Sequence, residues 1–213
     1  VCDGQISSSF KNLTGINPCP EQSMPRGESL MAKIVGIAGS LRSGSFNAAL
    51  LRAAAGVMPD GSTLEIATIK GIPLYDGDIE EKEGIPPAVQ VLKSQIMACD
   101  GVLLVTPEYN NSMPGVFKNA IDWLSRPSAD IARVFGNRPI AITGASPGGF
   151  GTVLSQAAWL PVLRTLGVRP WFGGRLLVSR AGSVFNDAGD LIDQKVKAQL
   201  QQFVHDFVDF VKS

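Results

Sequence analysis

This chain of 213 residues is poor in histidine, cysteine and net charge, and has no long apolar run. Cys2, Cys19 and Cys99 are odd in number and contain no CxxC pair, which argues against a disulfide scaffold or a zinc site and makes a reducing, cytoplasmic setting the default. No metal centre is expected. Lys plus Arg and Asp plus Glu both number 19, so there is no electrostatic reason to expect nucleic acid or an anionic membrane as partner. No stretch reaches membrane-spanning length. His205 is the single histidine, so acid–base chemistry built on imidazole has one candidate, and its neighbours Gln201, Gln202 and Asp209 place it on the polar face of a helix.

What is present is a chain that is 45% hydrophobic and long enough for one globular domain with a sizeable core. Residues 1–31 differ from the rest. They are rich in Ser, Pro, Asn and Gly, lack sustained periodicity and lack the apolar segment of a signal peptide. The expectation is a flexible leader outside the fold, with Met24 and Met31 both plausible native starts and residues 32–213 forming the domain.

From Lys33 onward, short apolar runs alternate with segments of helical length. Strands are expected at 33–39, 62–69, 101–106 and 138–145, with a fifth inside 169–179. Helices are expected at 46–58, 88–98, 114–124, 150–166 and 193–212, the fourth kinked or divided by Pro161. Residues 70–87, punctuated by Gly and Pro, read as a long connection. Five buried strands alternating with five helices imply a parallel sheet covered on both faces, whose ligands bind at the carboxyl ends of the strands.

Three loops at those ends carry the chemistry. GSLRSGSFN (residues 39–47) joins a strand to a helix start, where free N–H groups, Ser40, Ser45, Asn47 and the Arg42 cation suit a terminal phosphate. The Walker and GxGxxG patterns are both absent, which disfavours a triphosphate or a dinucleotide pyrophosphate. A well-capped helix beside a solvated arginine is the competing reading. TPEYNNSMPGVFKNAIDW (residues 106–123) places Pro107, Glu108, Tyr109 and Asn110 after the most strand-like run. They could set a planar ligand against backbone amides, or form an ordinary turn. TGASPGGFGT (residues 143–152) contains GASPG, which fits the GxSxG elbow of serine hydrolases. Pro147 follows the serine, however, and lacks the N–H that such an oxyanion hole requires.

In this order, the three motifs closely resemble the NAD(P)H-dependent FMN reductase family, which includes soluble quinone and chromate reductases. The resemblance covers essentially all of residues 32–213. It implies an α/β, flavodoxin-like three-layer sandwich with a five-stranded parallel sheet. It implies that Ser40, Arg42, Ser45 and Asn47 grip the FMN phosphate, with Phe46 beside them in the cofactor site. Pro107, Glu108, Tyr109 and Asn110 are then implied to border the isoalloxazine, and Ser146, Pro147, Gly148 and Gly149 its pyrimidine end. The flavin carries the chemistry, with no catalytic side chain required. NADPH or NADH is the implied co-substrate, quinones and oxyanions such as chromate the implied acceptors, and a homodimer or homotetramer the assembly. Arg126 is a candidate for contacting an anionic acceptor or the NADPH phosphate, or else a cation placed at a helix C-terminus for the dipole. A non-enzymatic flavodoxin-type carrier and a serine hydrolase remain as alternatives.

Overall fold

A computed structural model describes residues 31–213. The expected leader lies outside them except for Met31, as do Cys2, Cys19 and Met24.

Four strands, β1 (Lys33–Ala38), β2 (Thr63–Ala67), β3 (Gly101–Val105) and β4 (Pro139–Ala145), form the parallel sheet together with the short β5 (Arg169–Pro170) and β6 (Leu177–Val178). The order β2-β1-β3-β4-β5 is the doubly wound, flavodoxin-like one. Its central register pairs Ile34 with Gly101, Ile37 with Leu104, and Val102 with Ile140.

The helices are α1 (Phe46–Ala55), α2 (Gly77–Glu83), α3 (Pro87–Met97), α4 (Gly115–Leu124), α5 (Ile131–Val134), α6 (Val153–Leu166), α7 (Ala181–Val184) and α8 (Gln194–Lys212). The period of two along the strands sorts the core into two layers. Ile34, Leu103 and Val105 face α1 and α8, against Leu50, Leu51, Phe203 and Phe207. Val35, Ile37, Val102 and Leu104 face α3, α4 and α6, against Leu92, Ile96, Phe117 and Trp159.

Three expectations need correction. The long connection at 70–87 contains α2, which Asp76 caps by accepting from the Asp78 N–H. Pro161 does not divide α6, which is one helix. Pro161 and Ala157 are both exposed, so water can satisfy the Ala157 carbonyl left without a donor. The fifth strand is split. Its first half pairs with Pro139 and Ile140 and its second with Gly144 and Ala145. Between them Trp171 turns inward, its ring centroid 4.9 Å from that of Phe203, and Gly173 lies so close that a Cβ would sit 2.6 Å from Trp171 Nε1. Pro170 and the Gly173–Gly174 pair are the breaks visible in the sequence.

Candidate active site

The three expected loops do meet at the carboxyl ends of β1, β3 and β4. Two glycines set how closely. A Cβ at Gly39 would lie 2.1 Å from the Phe117 ring of α4, and one at Gly144 would lie 2.0 Å from the Thr106 carbonyl oxygen. Side chains at either place would force the strand ends apart.

The first loop leaves β1 with the Gly39 N–H on the Val105 carbonyl at 2.9 Å. Ser45 is buried and caps α1, its hydroxyl accepting from the Ala48 N–H at 3.3 Å. The N–H groups of Phe46 and Asn47 point out of the same first turn, and no acceptor among the described residues takes them. Arg42 is exposed and donates to the Gly44 carbonyl at 3.2 Å, which folds its guanidinium back over the loop. The cap and free donors therefore coexist: the serine satisfies one orphan donor and leaves two. Asn47 behaves differently from a free donor. Buried, it donates from Nδ2 to the Ala145 carbonyl at 2.9 Å and accepts from the Ala145 N–H at 2.8 Å.

The second loop is anchored from behind. Thr106 is buried, and its hydroxyl bonds Ser155 Oγ at 2.8 Å and accepts from Trp159 Nε1 at 3.1 Å. Glu108 Oε2 accepts from both the Leu154 N–H (2.8 Å) and the Ser155 N–H (2.9 Å). Thr152, the residue before α6, makes no side-chain cap, so Glu108 supplies the cap from another loop. Beyond it, Tyr109 and Ser112 bracket a tight turn in which Asn110 and Asn111 both have positive φ, 51° and 62°. Asparagine tolerates that region better than most residues, which accounts for the Asn–Asn pair without any ligand.

In the third loop the Ser146 hydroxyl donates to the Gly151 carbonyl at 2.6 Å. His205 does not approach it. The imidazole Nε2 lies 3.1 Å from the Val57 carbonyl, beyond the far end of α1, whose 10 residues span about 15 Å. It is half-buried, not a solvated surface group. The Ser–His arrangement of a hydrolase is absent.

Ser40, Arg42, Ser45, Phe46, Asn47, Pro107, Glu108, Tyr109, Ser146 and Pro147 line one cleft of about 110 Å³, joined by Ala145, which the sequence did not single out. Asn110, Gly148 and Gly149 are not among its walls; the two glycines are exposed at the tip of the third loop. Arg126 lies at the opposite end of α4 from the cleft, with its guanidinium 5.1 Å from the centre of the Tyr75 ring and its Nε 3.5 Å from Glu80 Oε2. A separate apolar hollow of about 260 Å³, between α6 and the Trp171 bend, has no wall from the three loops.

A flavin phosphate fits this chemistry: two unpaired amide N–H groups at a helix start, one arginine, and the hydroxyls of Ser40 and Ser45. The cleft is smaller than the ~300–1,000 Å³ usual for ligand pockets. One chain would thus enclose a flavin only partly. Among the described residues no cluster of ligating side chains could hold a metal, and no helix is long and apolar enough to cross a membrane.

Known proteins resemble this chain along most of its described length. The family profile for NADPH-dependent FMN reductases matches residues 32–182. An NAD(P)H-dependent FMN reductase of Pseudomonas aeruginosa is 46% identical over 170 residues, 80% of this chain and 90% of that one. A quinone reductase of Escherichia coli is 36% identical over 186 residues, 84% of this chain and 95% of its own length. Among solved structures, the flavoenzyme NAD(P)H:(acceptor) oxidoreductase of Paracoccus denitrificans superposes with a TM-score of 0.76 at 31% identity, covering 85% of this chain and 98% of that one.

Proposed function

The chain belongs to the NADPH-dependent FMN reductase family, and from that premise we propose that its three-loop cleft holds FMN and passes electrons from NAD(P)H to quinones. The observation that carries this reading is the meeting of an anion-binding helix start with an aromatic loop in one half-open cleft. Bound there, FMN supplies the redox chemistry, accepting hydride and returning electrons. The protein's part is positional. The Phe46 and Asn47 N–H groups, Arg42, Ser40 and Ser45 hold the phosphate. Pro107, Glu108 and Tyr109 border one side of the ring system, with Asn110 shaping the turn that presents Tyr109. Ser146 and Pro147 border the other side, and the side-chain-free Gly148 and Gly149 let their backbone approach the pyrimidine edge.

Nicotinamide and acceptor use the same open face in turn. Both a quinone and an oxyanion such as chromate can accept electrons there, the quinone being the acceptor named for the Escherichia coli relative and for a 2-hydroxy-1,4-benzoquinone reductase of a Burkholderia species at 36% identity. A second copy, in a dimer or a tetramer, covers part of the opening. Arg126 is committed to Glu80 and Tyr75 in its own chain, so it reaches an acceptor only across such an interface. The domain of residues 32–213 works in the cytoplasm.

The test is direct. Purified protein should show flavin absorbance, bleach anaerobically on addition of NADPH or NADH, and recover on addition of benzoquinone or chromate. An apoprotein that binds no FMN, or a bound flavin that neither nucleotide reduces, overturns the proposal. Recovery with quinone alone removes chromate from it.

A further inference from the structure

We propose that Thr106 is a positioning residue for the flavin, acting through the peptide between Pro107 and Glu108. It holds that peptide with the carbonyl turned inward and the N–H turned out into the cleft, as a fixed donor to the ring. The inference rests on the reductase reading above and adds to it a residue that touches no ligand.

The place of Thr106 in the sheet explains its contacts. It continues β3, with its N–H still on the Thr143 carbonyl at 2.8 Å. Alternate residues of a strand share a face, so its side chain follows Val102 and Leu104 into the layer packed against α6. A valine would suit that layer in size and polarity. A hydroxyl there costs free energy unless it is bonded, and the bonds it makes are specific. Thr106, Ser155 and Trp159 are completely buried. Trp159 Nε1 donates to Thr106 Oγ1 at 3.1 Å, and Thr106 Oγ1 donates to the Pro107 carbonyl at 2.9 Å. A carbonyl only accepts and a hydroxyl has one proton, so Ser155 Oγ, at 2.8 Å, is the donor in its bond to Thr106.

The direction of the next amide follows. Pro107 has no N–H, so the first donor past Thr106 is the Glu108 N–H. The Pro107–Glu108 peptide is trans and planar, which points its N–H opposite to its carbonyl. With the carbonyl on the buried hydroxyl, the N–H faces the cleft that Pro107, Glu108 and Tyr109 line, and no acceptor among the described residues takes it. Ser155 ties both flanks of this peptide to α6, giving its hydroxyl to Thr106 and its N–H to Glu108 Oε2. The peptide therefore cannot turn over without breaking the Thr106 bond. Without the hydroxyl, the carbonyl is free to swing outward and put an acceptor where the donor stood. A donor set in advance at the ring edge favours the reduced flavin, which carries more negative charge than the oxidised one.

The experiment has two arms. Amide hydrogen exchange is followed residue by residue, by NMR, on wild-type protein with and without FMN. The Glu108 amide should exchange freely in the apoprotein and at least about tenfold more slowly with FMN bound. The reduction potential of bound FMN is then measured for Thr106→Val and Thr106→Ser. The valine variant should lower it by about 15–30 mV, an about three- to tenfold loss of preference for the reduced form at about 30 mV per tenfold. The serine variant keeps the hydroxyl and should keep the wild-type potential. A hydroxyl that serves packing alone lowers the stability of Thr106→Val and leaves the potential unmoved. That result overturns the proposal, as does a Glu108 amide whose exchange FMN does not slow. If Thr106→Val does not fold, the wild-type exchange comparison decides alone. A protein that takes up no FMN at all overturns the reductase reading itself, and the proposal with it.

Discussion

Asn47 and Ala145 are joined by two hydrogen bonds across 98 residues of sequence, the side-chain amide of one matched to both backbone groups of the other. This pairing locks the start of α1 to the end of β4. It thereby fixes the distance between the first loop and the third, on either side of the cleft. Replacing Asn47 with Ala leaves a buried N–H and a buried carbonyl without partners. The expected loss is roughly 2–4 kcal/mol of stability, since each unsatisfied buried group costs about 1–3 kcal/mol. Denaturant unfolding of the apoprotein measures it. A loss under about 1 kcal/mol would mean that water replaces the amide.

Arg42 offers the test that separates the proposed phosphate binding from helix capping. Arg42→Ala should weaken FMN binding about 10- to 100-fold, a charge-assisted bond being worth roughly 1.5–3 kcal/mol. Riboflavin affinity should barely change. Titration of apoprotein with both flavins checks this, and equal losses would show that the arginine does not read phosphate.

Glu108 spans two loops, capping α6 from the aromatic loop. Glu108→Ala should cost roughly 1–2 kcal/mol, the usual range for a lost cap. Hydrogen exchange at the Leu154 and Ser155 amides should accelerate. Glu108→Gln, which keeps an acceptor but not the charge, should cost less. Unchanged exchange in the alanine variant would show that these amides are protected by something else.

Ser146 donates to the Gly151 carbonyl and has no imidazole beside it. Ser146→Ala should therefore keep most of the NAD(P)H-dependent turnover, at a cost of about 0.5–1.5 kcal/mol for one neutral hydrogen bond. Labelling of Ser146 by a fluorophosphonate, with esterase activity lost in the variant, would contradict this.

Away from the cleft, the Lys93 ammonium hydrogen-bonds Asp130 at 3.0 Å and holds its carboxyl below the usual carboxylate range. A carboxyl lowered in the folded state contributes stability above its unfolded pKa, about 4. That contribution disappears as pH falls through the lower folded value. Lys93→Met should flatten this part of the acid limb of stability against pH. Identical limbs for variant and wild type would remove the pair from the acid response.

The strands and the main helices were legible because each carries an apolar period that tertiary packing did not override. β3 is buried at every residue, as an unbroken GVLLV run suggests. The three loops were legible as places, since Gly, Pro and Asn punctuate them. Their internal division of labour was not. Asn47 reads as a donor for ligand, yet its partner lies 98 residues away in the sequence, and no local pattern announces such a bond. Glu108 reads as a lone acid, while its two amide partners are in the first turn of α6, just past the third motif. Asn110 reads as a ligand contact, but its backbone explains its presence. The split of the fifth strand was written in Pro170 and Gly173–Gly174, and strand propensity on both sides concealed it.

The parallel order of the sheet also sets a schedule for synthesis. Among the described residues no strand pairs with a neighbour through a short turn: β1 must wait for residue 63 to meet β2 and for residue 101 to meet β3. Such distant pairings are slow to nucleate, because chain entropy is spent before any contact compensates it. On the ribosome, the first loop emerges early and remains without its counterpart until Ala145 is made. A chain interrupted before β4 therefore has the first loop but not the Ala145 backbone groups that hold the start of α1 in place.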